Sequence, residues 1–131
     1  MLNKMLKILV VEDEFMLQNL IRTQLEKRGF LGFFARDVEQ ALKYLRSEKD
    51  IDVIWLDHYL LGKENGFNFI MKTKENPEWH HIPIFLVSNS VSDEKIQAYL
   101  RLGVDKYFVK TNNTLNEIVN DIEKYLSNKE S

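Results

Sequence analysis

Ile51-Asp52-Val53-Ile54-Trp55-Leu56 is almost wholly apolar and stops on Asp57. A run of this length suits one strand, and its near-continuous hydrophobicity suits a strand covered on both faces, as in a parallel sheet. Working outward, similar runs recur. Residues 6–11 (Leu-Lys-Ile-Leu-Val-Val) end abruptly at Glu12-Asp13-Glu14, and residues 82–87 end at Ser88-Asn89-Ser90. Residues 104–109 form a half-alternating strand ending at Lys110, and residues 30–35 form a weaker one interrupted by Gly32.

Between these strands the period changes to that of a helix. Leu17, Leu20, Ile21 and Leu25 form one stripe, with Lys27-Arg28-Gly29 closing it. Asp37 followed by Gln40 reads as a helix start, with Ala41, Leu42 and Leu45 along one face. After a loop marked by Gly62 and Gly66, Phe67, Ile70 and Met71 imply a short helix closed before Pro77. Ile96, Ala98, Leu100 and Leu102 fit a helix less cleanly, ended by Gly103; Leu115, Ile118, Val119, Ile122 and Leu126 make a clear amphipathic one. Residues 127–131 read as a polar tail. Strand followed by helix five times, with apolar strands, means an α/β fold: a mostly parallel sheet covered on both faces.

The 131 residues fit one domain, expected over residues 1–131 with a core of about 6–126. With 18 basic and 20 acidic side chains well mixed, nothing concentrates positive potential for nucleic acid or an anionic membrane. Cysteine is absent, so disulfide and thiolate chemistry are excluded. The opening Met1-Leu2-Asn3-Lys4-Met5 leads into an apolar run too short for a signal-peptide core, and no stretch approaches a membrane span. The expectation is a soluble cytoplasmic protein.

In doubly wound sheets, ligands bind at the carboxyl ends of strands where strand order reverses. Those ends deliver Glu12 and Asp13, Asp57, Ser88 and Lys110. Three converging carboxylates repel one another unless a cation neutralises them, and an all-oxygen set favours a hard ion, magnesium in particular. Lysine supplies a compact positive charge for phosphoryl oxygens and serine a neutral hydroxyl donor, so the set suits phosphoryl chemistry. Each residue also has a plainer reading. Glu12 and Asp13 are placed to cap the next helix, Ser88 is an ordinary loop serine, and Lys110 an ordinary solvated lysine. Asp57 is harder to dismiss, because it ends a buried strand with no clear helix start beside it. His58, His80 and His81 lack ligand-like partners and read as loop or surface residues; Trp55 reads as core and Trp79 as a partly exposed loop residue. There is no Gly-rich phosphate loop and no serine-centred elbow.

Taken together, Leu9-Val10-Val11-Glu12-Asp13-Glu14, Asp57, Ser88 and Tyr107-Phe108-Val109-Lys110, at this spacing, resemble the response-regulator receiver domains of the CheY-like type, over about residues 6–126. The resemblance implies a (βα)5 flavodoxin-like sandwich with strand order 2-1-3-4-5. It implies that Asp57 is the phosphoacceptor and that Glu12, Asp13, Asp57 and the backbone carbonyl of Tyr59 organise Mg2+, with Mn2+ a possible substitute. Ser88 and Lys110 would contact phosphoryl oxygens, and Tyr107 would be the switch aromatic, against its plainer reading as a half-buried strand tyrosine. The donor would be a phosphohistidine on a sensor histidine kinase or histidine phosphotransfer protein. The receiver's responding face would comprise the fourth helix, fifth strand and last helix, with a downstream protein target or a phosphorylation-dependent homodimer as its readout.

The sequence departs from that family at Thr111 and Leu61, where proline is usual, and in a loop over residues 60–66 that is one residue longer. Asn89 replaces a small residue beside Ser88, and Tyr59 and Ser90 occupy variable positions tied to dephosphorylation rate. Two other functions compete: an unphosphorylated, constitutive interaction module with this fold, and a small magnesium-dependent phosphatase. The phosphatase needs a lid over its substrate, and no segment is long enough to form one. Self-phosphorylation and autodephosphorylation are expected, without turnover of external substrates.

Overall fold

The computed structural model describes residues 5–57, 66–89, 92–110 and 113–130. Its elements alternate as β1 (Lys7–Val11), α1 (Phe15–Lys27), β2 (Leu31–Ala35), α2 (Val38–Ser47), β3 (Val53–Asp57), α3 (Gly66–Glu75), β4 (Ile84–Ser88), α4 (Asp93–Leu102), β5 (Lys106–Val109) and α5 (Leu115–Glu130). All four strand pairings are parallel, in the order β2-β1-β3-β4-β5. The expected α/β architecture and strand order are both observed.

The apolar strands make sense once their two faces are followed. Leu9, Val11, Ile54, Leu56, Ile84 and Leu86 belong to a core with Ala41 and Leu45 of α2, Phe69 and Ile70 of α3, and Tyr99 of α4. Their neighbours Ile8, Val10, Val53, Trp55, Phe85 and Val87 belong to a second core with Ile21 and Leu25 of α1 and Ile118, Val119, Ile122 and Leu126 of α5. Alternation along a strand sends successive side chains to opposite faces, so a central strand covered on both sides must be apolar throughout.

Three strands begin later than the apolar runs suggest. Ile51, Ile82 and Val104 are buried yet precede β3, β4 and β5 by two residues each. An apolar lead-in and a strand residue satisfy the same burial requirement, so hydrophobicity alone does not separate them. The starts are set by polar staples. Asp52 donates its backbone N–H to the Lys7 carbonyl, while its carboxylate accepts the Lys7 N–H at 2.8 Å. Asp105 does the same to Ile84, and its other carboxylate oxygen accepts from the Tyr125 hydroxyl at 3.0 Å.

The helix ends follow local chemistry. Asp37 caps α2 by accepting from the Gln40 N–H, and Gln40 reaches back to the Arg36 N–H. Ser92 caps α4, and Gly103 closes it in the left-handed region at φ 112°. The helix faces differ in places from the expected stripes. Leu20, Met71 and Leu100 are exposed, whereas Gln18 and Tyr99 are buried. Tyr99 packs on Phe67 with ring centroids 5.1 Å apart. The polar tail is helical over residues 127–130: α5 continues through Glu130, because Ser-Asn-Lys-Glu contains no glycine or proline to stop it. The Arg28 guanidinium ties the end of α1 to Asn116, Asn120 and Glu123 of α5. Among the described residues, no helix is long and apolar enough to cross a membrane.

Candidate functional site

Five polar residues stand where the strands end, and the side chains of four of them meet. β1 hands the chain to Glu12 and Asp13; β3 ends on Asp57, β4 on Ser88, and Lys110 follows β5 directly. The register explains the convergence. Val11 pairs with Leu56, so Glu12 and Asp57 leave adjacent strands at the same level. Ser88 pairs with Val109, and the Lys110 N–H donates to the Ser88 carbonyl at 2.9 Å. The β1/β3 boundary is also where strand order reverses, the position such sheets reserve for ligands.

One carboxylate oxygen from each of Glu12, Asp13 and Asp57 lies within 4.8 Å of the other two. Glu12 is 1 % exposed and Asp57 4 %, while Asp13 is half-buried. The Lys110 ammonium stands 3.0 Å from Glu12 Oε1 and 3.6 Å from Asp57 Oδ2, bridging two of the three. The plainer reading of Lys110 as a solvated surface charge therefore fails. So does the capping reading of the acidic pair: α1 is entered through Glu14, and no side chain caps it. Glu12 Oε2 instead accepts from the Glu14 N–H at 3.0 Å, which holds the carboxylate in place.

Burial drives the Glu12 carboxyl up to about 7; the Glu14 N–H pulls it down, the Asp57 charge pushes it further up, and Lys110 pulls it back. For Lys110, burial works to lower the ammonium pKa, yet the Asp57 and Glu12 charges outweigh it and the net direction is up. Among the described residues, Lys110 is the cation paired with the cluster, and the three carboxylates form an all-oxygen set that fits a hard divalent cation of the magnesium type.

Ser88 is fully buried, and its hydroxyl finds no hydrogen-bond partner among the described residues. A buried hydroxyl without a partner costs free energy, and such groups cluster where a ligand supplies the missing bond. Tyr107 is half-buried, and its hydroxyl donates to the Asn89 carbonyl at 3.2 Å. Asn89 is exposed. His80 and His81 lie exposed at the opposite end of the sheet, and Trp55 is core, as expected. Tyr59, Leu61, Ser90, Thr111 and His58 lie outside the described residues, so the Tyr59 carbonyl and the Lys110–Thr111 junction have no structural account.

Gln18 escapes a stripe-based reading. Its side chain is 6 % exposed, and its amide donates to the Glu12 carbonyl at 2.5 Å and toward the Ala35 carbonyl at 3.4 Å. The available signal was its spacing: Gln18, Ile21 and Leu25 fall on one helical face, a polar residue in the buried register.

The response regulator receiver domain family matches residues 8–123. A two-component response regulator from rice (ORR8, Oryza sativa subsp. indica) is 30 % identical over 103 residues, covering 79 % of this chain and 84 % of that protein. The phosphorylated cyanobacterial phytochrome response regulator RcpA superposes with a TM-score of 0.83 at 29 % identity, covering 94 % of both chains. The Mn2+-bound response regulator Rcp1 superposes with a TM-score of 0.79 at 26 % identity, covering 91 % of this chain and 92 % of its own.

Proposed function

The chain belongs to the response-regulator receiver family of two-component signalling, and on that premise we propose that Asp57 accepts a phosphoryl group from a phosphohistidine in a Mg2+-dependent reaction. The observation that supports this most directly is the convergence of Glu12, Asp13 and Asp57 oxygens within 4.8 Å, with Lys110 paired to two of them.

In the proposed reaction a carboxylate oxygen of Asp57 attacks phosphorus in line. An O–P bond forms, the N–P bond to the donor imidazole breaks, and the leaving nitrogen keeps the electron pair and takes up a proton. A divalent cation would be held by Glu12, Asp13 and Asp57, with the Tyr59 carbonyl added on the family resemblance, and would supply charge neutralisation on the transferred oxygens. Lys110, paired with Glu12 and Asp57, would contribute a second positive charge to the cluster. Ser88, whose hydroxyl has no partner among the described residues, offers it to a phosphoryl oxygen. Autodephosphorylation is the attack of water on the same phosphorus, returning the Asp57 carboxylate and releasing phosphate.

The proposed donor is a sensor histidine kinase or a histidine phosphotransfer protein. Beside the acceptor, α1 exposes Phe15 (70 %), Met16 (73 %) and Leu20 (58 %), apolar surface that suits docking of a donor protein. The proposed readout begins when the phosphoryl group draws Ser88 and Lys110 toward it. Because the Lys110 N–H is bonded to the Ser88 carbonyl and Tyr107 to the Asn89 carbonyl, such a shift reaches the ends of β4 and β5 together. The α4-β5-α5 face, with Tyr107 at its centre, is then the surface presented to a downstream target.

The test is intact mass after incubation with acetyl phosphate, with and without magnesium, beside Asp57→Asn. One added phosphoryl group, only with magnesium and absent from the variant, is the expected result. No adduct even with rapid sampling would overturn the proposal and leave a constitutive interaction module of the same fold.

A further inference from the structure

Glu12 and Asp13 are useful as a pair only if the peptide between them is held at one angle. The Glu12 carbonyl and the Asp13 N–H share a plane, so rotation of that peptide swings the two carboxylates relative to each other. On its amino side Glu12 is fixed by the sheet: its N–H donates to the Ala35 carbonyl at 2.9 Å, beyond the last strand pairing. Its carboxylate is fixed by the Glu14 N–H and Lys110. The carbonyl side has no strand partner, because β1 has already ended and α1 has not begun. Gln18, one turn into α1, fills that gap with a 2.5 Å hydrogen bond from its buried amide, and the same nitrogen faces the Ala35 carbonyl. Among the described residues, no other donor reaches the Glu12 carbonyl.

We infer that Gln18 is a positioning residue for the cation site: its side-chain amide locks the Glu12–Asp13 peptide and so presets the two carboxylates for binding. This rests on the proposed magnesium-dependent function. Gln18 touches neither cation nor phosphoryl group; it acts on the peptide that carries two of the ligands. Outer partners of metal-binding groups commonly alter affinity by about 10- to 100-fold when removed. Gln18→Met keeps the length and bulk of the side chain while removing the donor. Ile21→Val, on the same buried face of α1, is the control for simple loss of packing.

The experiment is Mg2+ titration of the full chain, followed by Trp fluorescence or calorimetry, with urea unfolding of each variant in parallel. Expected is a Kd for Mg2+ raised by roughly tenfold in Gln18→Met, and unchanged in Ile21→Val. Labelling by acetyl phosphate should then need more magnesium for half-saturation, while the plateau rate at saturating magnesium stays close to wild type. In the apo protein, the Gln18 side-chain amide should exchange slowly with solvent. A wild-type Mg2+ affinity in Gln18→Met overturns the positioning role and leaves the proposed function standing. Equal loss of affinity in Ile21→Val, at equal loss of stability, reduces Gln18 to ordinary packing and also overturns it. If the wild-type chain binds no Mg2+ at all, the proposed function falls and the inference with it. If Gln18→Met does not fold, Gln18→Leu is titrated under the same criteria, and the slow amide exchange in the wild type stands as the independent reading. Fast exchange of that amide overturns the lock.

Discussion

Glu12 is the residue at which burial and function collide most directly. Its carboxyl is driven from the ordinary 4.5 to about 7, chiefly by burial and then by Asp57, against the Glu14 N–H and Lys110. Between those two values the folded chain holds a proton that the unfolded chain has released. The unfolded state therefore binds fewer protons, and stability falls as pH rises through the window. At 1.36 kcal/mol per unit, the effect is on the order of 3 kcal/mol when the window is crossed. Urea midpoints of the cation-free protein should decline from about pH 5 to pH 8, and Glu12→Gln should flatten much of that slope. Saturating magnesium should flatten it as well, because a bound cation replaces the proton as the neutralising charge. A midpoint that climbs across the same range without magnesium would contradict the reading of Glu12.

At the scale of elements, the sheet is organised by its two ends. The carboxyl end carries the polar site; the amino end carries two aspartates, Asp52 and Asp105, that staple the first residue of a neighbouring strand. Asp105 serves three donors or acceptors at once, joining β4, β5 and α5 through Ile84 and Tyr125. Truncating it leaves the N–H of the fully buried Ile84 without its acceptor, a loss of about 1–3 kcal/mol. Asp105→Ala should lower the urea midpoint accordingly, while Asp105→Asn, which keeps an acceptor oxygen, should recover more than half of it. Both variants lie at the far end of the sheet and should be labelled by acetyl phosphate at the wild-type rate. A labelling defect in Asp105→Ala at temperatures where it is fully folded would mean that the amino end is coupled to the site.

For the whole molecule, the alternation of elements was legible from the strands outward, because a doubly covered parallel sheet forces continuous apolar runs. The site was legible for the same reason: Asp57, Ser88 and Lys110 stand out by ending those runs. What the sequence did not reveal is where burial and structure diverge. Ile51, Ile82 and Val104 are as apolar as any strand residue, and Gln18 is as polar as any surface one, so residue type misplaced them. Pairwise hydrogen bonds decided both cases: the strand starts through partners far along the chain, and Gln18 through the carbonyl of Glu12 just before its own helix. The same geometry divides the interior into two cores on opposite faces of the sheet, with Ile70 in one and Ile122 in the other. Removing one methylene from each, as Ile70→Val and Ile122→Val, should cost roughly 0.5–1.5 kcal/mol apiece. Because the sheet separates them and they share no core cluster, the double variant should cost the sum to within about 0.5 kcal/mol. Ile118→Val with Ile122→Val, both in the α1/α5 core, is the contrasting pair and should depart further from additivity. Chemical denaturation of the singles and doubles measures this directly. Additivity across the sheet would mean that β3 is a rigid divider between the two faces, so that the switch proposed at Asp57 would have to couple them from the strand's carboxyl end. Strong coupling between Ile70 and Ile122 would instead mean that strain already crosses the sheet through the strands themselves, and a switch confined to the site would be too narrow an account.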